Sequence, residues 1–282
     1  SKKAMISPRN SGGISLSLAI NPTKSLMDLV GWMKQYRRIA FRAHNGKYLC
    51  CTSSSLREVR LAASYVHSEH LKSCYRGGKE LFTVDFVEDT SICTIRTHTG
   101  EYWGVAEGGP LLDLVPDSSD AAQFLVEEVG GRISFKSLNT GTYVVVNPAV
   151  GTLCVSSVSA LKELGAMAMF TVCLKGSLMS KSTKKWVTCG QDGRISAGKS
   201  FRLSNETLLL HLAANSLMSI TSISGSPWQV SPSSQLHCER PQGADAPKDA
   251  DPLLFELDID AGDKLPCGSL TSEVRLFRHT TS

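Results

Sequence analysis

Apolar and polar residues alternate with period two along most of this chain, in short runs separated by turn residues. That is the pattern of half-buried β-strands. The clearest case is residues 92–105, ICTIRTHTGEYWGV. Cys93, Ile95 and Thr97 share one face of a first strand, Gly100 supplies the turn, and an aromatic-led second strand follows. The same phrase stands earlier as RIAFRAHNGKYLC, with Gly46 and Tyr48, and later as RISFKSLNTGTYVVV, with Gly141 and Tyr143. Two degraded copies, LMSKSTKKWVTC and SITSISGSPWQV, carry Trp186 and Trp228. The successive aromatics Tyr48, Tyr102, Tyr143, Trp186 and Trp228 lie 54, 41, 43 and 42 residues apart. A second marker follows each: LFTVDFV at Phe82, QFLVEEV at Phe124, MFTVCLK at Phe170, TLLLHLA at Leu208 and LFELDID at Phe255. Two markers in one order, five times over, establish a repeated β unit.

The repeats divide the chain at 38–91, 92–131, 132–175, 176–215 and 216–261, and a sixth copy is expected to begin near Leu270. Tyr48 and Phe82 are 34 residues apart, against 22 from Tyr102 to Phe124. The first repeat therefore carries an insertion, REVRLAASYVHSEHLKSCYRGGKE, expected as a surface loop. Ahead of the repeats, GGISLSLAI predicts one strand. SLMDLVGWMKQYRR predicts a short helix capped by Ser25 or Thr23, with Leu26, Leu29, Val30 and Met33 as its apolar face.

A unit of about 42 residues with four short strands also fits a propeller blade. The chain has no Gly-His or Trp-Asp dipeptide and no Gly-Gly in a fixed repeat phase, so the propeller is set aside. The repeat instead resembles the β-trefoil of the fascin-like, actin-crosslinking family. The residues that carry the resemblance are NGKYL at Asn45, HTGEYWGV at His98, NTGTYVVV at Asn139 and the FTV-type strands at Phe82, Phe124 and Phe170. It implies an all-β fold of tandem trefoils, each with three four-stranded units closed into a small barrel capped by three hairpins. Residues 1–37 would form an N-terminal arm and 38–175 a first, complete trefoil. Residues 176–282 would form a second with its third repeat short. Either the chain is part of a longer one, or GGISLSLAI supplies the missing strand and closes the second barrel. In this fold Gly46, Gly100 and Gly141 permit positive φ in turns, and the aromatics after them pack in the shared core.

Composition narrows the function. A 41% apolar and 20% charged chain of 282 residues is globular, and no apolar run reaches a membrane span. A net charge of +4 is too small to argue for nucleic acid, so neither nucleic acid nor membrane is an expected partner. The nine cysteines include no CxxC pair, and several sit in strand-like runs; free buried thiols in a reducing compartment are expected. The first 27 residues lack acids while carrying Lys2, Lys3, Arg9 and Lys24. They read as a targeting remnant or a basic arm lying on a neighbour.

Catalytic chemistry is sparse, and no cofactor is expected. His67, Glu69, His70 and Cys74 have zinc-ligand residue types but not zinc-site spacing. Asp258, Asp260 and Asp263 lack the glycine and terminal glutamate of a calcium loop. No G-x-S-x-G elbow or phosphate-binding glycine loop occurs, and His44, His98 and His211 have no acidic companion at a telling offset. The Gln-x-Trp of ricin-like lectin trefoils is absent. What remains is surface charge: Arg57, Arg60, Lys72, Arg76 and Lys79 around the first-repeat insertion, and Lys181, Lys184 and Lys185 at the fourth hairpin. Basic loop tips on a rigid barrel suit an acidic polymer. The expected function is a non-enzymatic cytoskeletal scaffold in the cytoplasm that binds or crosslinks actin filaments. The alternatives are an architectural subunit of a microtubule-based assembly such as the axoneme of a cilium or flagellum, and a carbohydrate-binding trefoil.

Overall fold

The computed structural model describes residues 28–36, 38–55, 58–64, 79–105, 112–149, 151–178, 180, 183–190, 192–200, 208–214, 217–222, 226–230, 236–238, 254–259 and 274–279. The chain divides into two compact units, one of residues 27–174 and one that takes in everything from Lys175 onward. GGISLSLAI and the HSEHLKSC segment lie outside the described residues.

Among the described residues the first unit holds twelve strands: β1 Arg38–Arg42, β2 Tyr48–Ser55, β3 Glu58–Ser64, β4 Phe82–Phe86, β5 Ile92–Arg96, β6 Tyr102–Val105, β7 Leu112–Val115, β8 Phe124–Val129, β9 Arg132–Ser137, β10 Val144–Val146, β11 Leu153–Val155 and β12 Thr171–Gly176. Six of them close a ring of antiparallel neighbours. β1 pairs β4 at Ile39↔Phe82, β4 pairs β5 at Val84↔Ile95, and β5 pairs β8 at Cys93↔Phe124. β8 pairs β9 at Val126↔Phe135, Ile133 bridges Phe170 just ahead of β12, and β12 returns to β1 at Phe41↔Val172. The other six strands form three hairpins, β2–β3, β6–β7 and β10–β11, one between the ring strands of each repeat. A six-stranded barrel bearing three hairpins in threefold repetition is a β-trefoil, and closure leaves the ring without an unpaired edge.

Side-chain size explains how the barrel fills. Phe41, Phe82, Phe124 and Phe135 of the ring strands, and Phe170 just ahead of β12, are fully buried. In β2 and β10 the residue after the hairpin tyrosine is Leu49 or Val144; in β6 it is Trp103, equally buried. The Trp103 ring lies 5.1 Å from Phe82, 5.7 Å from Phe135, 6.1 Å from Phe41 and 6.4 Å from Phe124, mostly edge-on. Among the aromatic markers, Tyr48 and Tyr143 are buried as expected, whereas Tyr102 is half-buried because its neighbour Trp103 takes the central place.

The turns entering the hairpins repeat as well. Gly46, Gly100 and Gly141 have φ of +77°, +95° and +70°, the left-handed conformation that the repeated glycine predicts. In each turn a backbone N–H of Ala43, Thr97 or Ser137 donates to the carbonyl of Lys47, Glu101 or Thr142 at 2.8 Å.

Helix α1, Leu29–Gln35, corrects the expected cap. Its N-cap is Asp28, whose Oδ1 accepts from the Gly31 N–H at 2.6 Å, rather than Ser25 or Thr23. Glu128 Oε2 on β8 takes the Leu29 N–H at 2.9 Å, which fixes where the helix starts. Its buried face is Leu29, Trp32 and Met33, with Val30 only half-buried, so the stripe is shifted from the expected one.

The second unit contains β13 Trp186–Cys189, β14 Ile195–Lys199, β15 Leu208–Leu212, β16 Leu217–Ser222, β17 Trp228–Val230, β18 Leu236–Cys238, β19 Leu254–Ile259 and β20 Val274–His279. β15 pairs β16, β16 pairs β19 and β19 pairs β20, all antiparallel, with hairpins β13–β14 and β17–β18 beside them. This succession reproduces β4–β5–β8–β9 of the first unit, with β17–β18 in the place of β6–β7. Thus β20 stands where a sixth repeat would open. No helix among the described residues is long and apolar enough to cross a membrane.

Candidate functional surface

Of the eight basic residues singled out in the sequence, three have described side chains. Lys79, Lys184 and Lys185 are all exposed. Arg57, Lys72, Arg76 and Lys181 lie outside the described residues, and Arg60 is described only as backbone in β3, opposite Thr52.

Lys79 is placed by its own carbonyl, which accepts the Cys51 N–H of β2 at 2.9 Å and so ties the end of the insertion to the first hairpin. Its ammonium acts on two neighbours. His98 is held below the ordinary histidine value by burial and then by Lys79, with Glu80 opposing. The Cys51 thiol is pushed up to about 11, chiefly by burial and then by the Glu101 carboxylate, with Lys79 and a Thr97 hydrogen bond opposing. Sequence spacing gave no sign of the His98–Glu80 proximity, because the two residues belong to different repeats.

Lys184 and Lys185 share one turn of the second unit. The Ser180 N–H donates to the Lys185 carbonyl and the Lys184 N–H to the Ser180 carbonyl, both at 2.9 Å. The Thr183 N–H donates to Ser180 Oγ at 3.3 Å. Within this closed loop Lys184 has φ +55°, a left-handed conformation that disfavours a residue with a Cβ. Both lysine side chains are exposed at the tip.

A second polar surface, not singled out in the sequence, is formed by the hairpin-entry turns of the first barrel. Thr97 Oγ1 lies 2.8 Å from Thr99 Oγ1 and 3.0 Å from the Glu101 carbonyl, and Thr99 Oγ1 donates to Glu101 Oε2 at 2.9 Å. The third repeat has the counterpart Thr140–Thr142 contact, also 2.8 Å. Beside it, the Tyr143 hydroxyl donates to Glu127 Oε2 at 2.7 Å, and Lys136 Nζ sits 5.4 Å above the Tyr143 ring.

Other sequence candidates resolve into structure. His211, in β15, is buried with Nε2 3.1 Å from Thr221 Oγ1 of β16. Asp258 is described only as backbone in β19, and Asp260 and Asp263 lie outside the described residues. No group of three His, Cys, Asp or Glu side chains among the described residues is placed to hold a metal ion. The cysteines depart from expectation at one point: Cys51, Cys93 and Cys154 are free thiols, but Cys189 of β13 and Cys238 of β18 are joined as a disulfide. The reason is spatial, since 49 residues separate them in sequence while the two hairpins bring their Cα atoms to 6.5 Å.

No protein-family model matches the chain, and no curated protein sequence does. Among solved structures, it is similar to a Polyporus squamosus lectin bound to a human-type influenza-binding epitope, with 16% identity over 50% of this chain and 51% of that one, at a TM-score of 0.38. A designed threefold-symmetric protein, ThreeFoil, matches with 14% identity over 48% of this chain and 96% of the design, at 0.36. A GlcNAcα1-4Gal-releasing endo-β-galactosidase from Clostridium perfringens matches with 14% identity over 48% of this chain and 31% of the enzyme, at 0.39. The chain thus spans about half the length of the lectin and about a third of the galactosidase. At such scores the likeness says nothing of ligand or activity; the trefoil itself rests on the closed ring and its three hairpins.

Proposed function

We propose that this chain is a non-catalytic binding module, a β-trefoil scaffold of fascin-like kinship that docks on an acidic filament through basic loop tips. An actin filament is the first partner and an axonemal microtubule the second. The observation that carries the reading is the Ser180–Lys185 turn. It keeps a lysine at φ +55°, where glycine would fit without strain, and holds a second lysine beside it in solvent. A strained residue retained at an exposed tip is a reason to look for function there. Lys79 supplies an exposed basic residue in the other unit, so both units carry a candidate contact, and crosslinking requires two sites.

Contacts of this kind are screened by salt. The test is co-sedimentation with actin filaments, and separately with microtubules, across a salt series. The expected result is pelleting at low salt that fades as salt rises and is weakened by Lys184→Glu combined with Lys185→Glu. Failure to pellet with either filament at low salt overturns the proposal, and pelleting with microtubules alone selects the axonemal partner.

A second reading, a carbohydrate-binding trefoil, is favoured by the polar hairpin-entry turns, where Asn45, His98, Thr99, Asn139 and Thr140 are exposed at equivalent places in three repeats. Repetition of one polar turn suits a multivalent glycan ligand. Salt-insensitive binding on a glycan array, reduced by Thr99→Ala and Thr140→Ala, would establish it in place of the first.

A further inference from the structure

The Cys189–Cys238 pair lies in the second unit. We propose that it is a reversible redox staple, a dithiol in reducing surroundings and a disulfide under oxidising ones, fastening hairpin β13–β14 to hairpin β17–β18.

The two hairpins meet through backbone contacts that do not need the sulfur–sulfur bond. The Cys238 N–H donates to the Gly193 carbonyl at 2.7 Å, and Arg194 bridges His237. The β13–β14 turn is closed on itself by Gly190 N–H to the Arg194 carbonyl at 2.8 Å and Gly193 N–H to the Gly190 carbonyl at 3.0 Å. Gly193 makes this docking possible. A Cβ there would stand 2.6 Å from the Cys238 carbonyl oxygen, and its φ is +78°. Backbone docking therefore holds the two thiols within reach before any bond forms, at a Cα separation of 6.5 Å that a disulfide accommodates.

The other described cysteines differ in kind. Cys50, Cys51, Cys93 and Cys173 are buried, and burial pushes the thiols of Cys51, Cys93 and Cys173 up, which keeps them protonated and unreactive. Cys189 is only half-buried whereas Cys238 is buried, so Cys189 is the thiol that a small disulfide reaches first.

The oxidant is a small disulfide such as oxidised glutathione. The Cys189 thiolate attacks one of its sulfurs, the sulfur–sulfur bond breaks, and one glutathione thiolate leaves. The Cys238 thiolate then attacks the Cys189 sulfur of the mixed disulfide and expels the second glutathione. Two cysteine thiols lose two protons and two electrons, and the glutathione disulfide gains them.

The test equilibrates the full chain in glutathione buffers of graded ratio, traps thiols by alkylation and quantifies the linked peptide by mass spectrometry. The expected result is a Cys189–Cys238 peptide that grows with the oxidised fraction and disappears in the most reducing buffer. The thermal midpoint is expected to rise by roughly 5–10 °C on oxidation. Cys189→Ser and Cys238→Ser should each abolish that redox dependence. No linked peptide at any ratio, a different partner for Cys189, or a linkage that survives the most reducing buffer would overturn the proposal. The peptide map of the unaltered chain decides even if a serine variant fails to fold.

Discussion

Trp103 sits where the other two repeats of the first barrel place Leu49 and Val144, and its ring meets four phenylalanines. Its indole N–H finds no hydrogen-bond partner among the described residues. Trp103→Ala should cost about 3–5 kcal/mol in a denaturant titration, since the cavity is central and the surrounding rings are fixed by the closed ring. Trp103→Phe should cost much less, because it removes an orphaned donor along with the lost volume. The next residue must be small: a Cβ on Gly104 would stand 2.6 Å from Val115 Cγ1, so Gly104→Ala should destabilise by about 1–3 kcal/mol. Glycine at the turns was readable from the repeated phrase, but which of Tyr102 and Trp103 enters the core was not. Adjacent strand residues face opposite ways, and the marker aromatic predicts only that one does. Buried acids give a pH dependence of definite sign. Burial raises the thiols of Cys51 and Cys173 from 9.0 to about 11 and about 12, and the phenols of Tyr36 and Tyr143 from 10.0 to about 12. Raised values favour the neutral forms in the fold, so their stabilisation is whole below pH 9 and is lost as pH rises towards 12. Urea midpoints should be level from neutral pH to about 9 and fall beyond it.

At the scale of elements, α1 is too short to be stable by itself, and packing of Leu29, Trp32 and Met33 holds it. Asp28→Ala removes the side-chain cap and should cost about 1 kcal/mol. Glu128→Ala should cost a similar amount by freeing the Leu29 N–H, and the two losses should fall short of additive because both serve one helix terminus. The helix was legible from its apolar spacing. Its start was not, since Thr23, Ser25 and Asp28 are all competent caps and the deciding carboxylate comes from Glu128, 99 residues on. The Ser180–Lys185 turn gives the opposite trade. Lys184→Gly relieves a positive φ and should raise stability by about 0.5–1 kcal/mol while weakening filament pelleting at low salt. Gains in both, or losses in both, would detach the strain from function. The disulfide between β13 and β18 lay beyond the sequence for a related reason: hairpin contacts between repeats leave no period to read.

At the scale of the molecule, period-two runs repeated at about 42 residues made the all-β trefoil legible, because a unit that cannot cover its own apolar face must close with its copies. The basic surface was much less so. Surface positions carry no periodicity, and of the charges picked from the sequence, Lys184 and Lys185 share a turn while Lys79 belongs to the other unit. Rigid presentation of Lys79 and of the three hairpins depends on the first barrel being closed rather than left as an open sheet. Closure is read most directly by amide–amide nuclear Overhauser contacts in the perdeuterated, labelled full chain. A closed barrel predicts cross-strand contacts joining Ala40, Phe41 and Arg42 of β1 to Cys173, Val172 and Thr171 of β12, together with one across Ile133 and Phe170. A β1 strand whose amides exchange rapidly on that side, or that pairs with another segment, would contradict it.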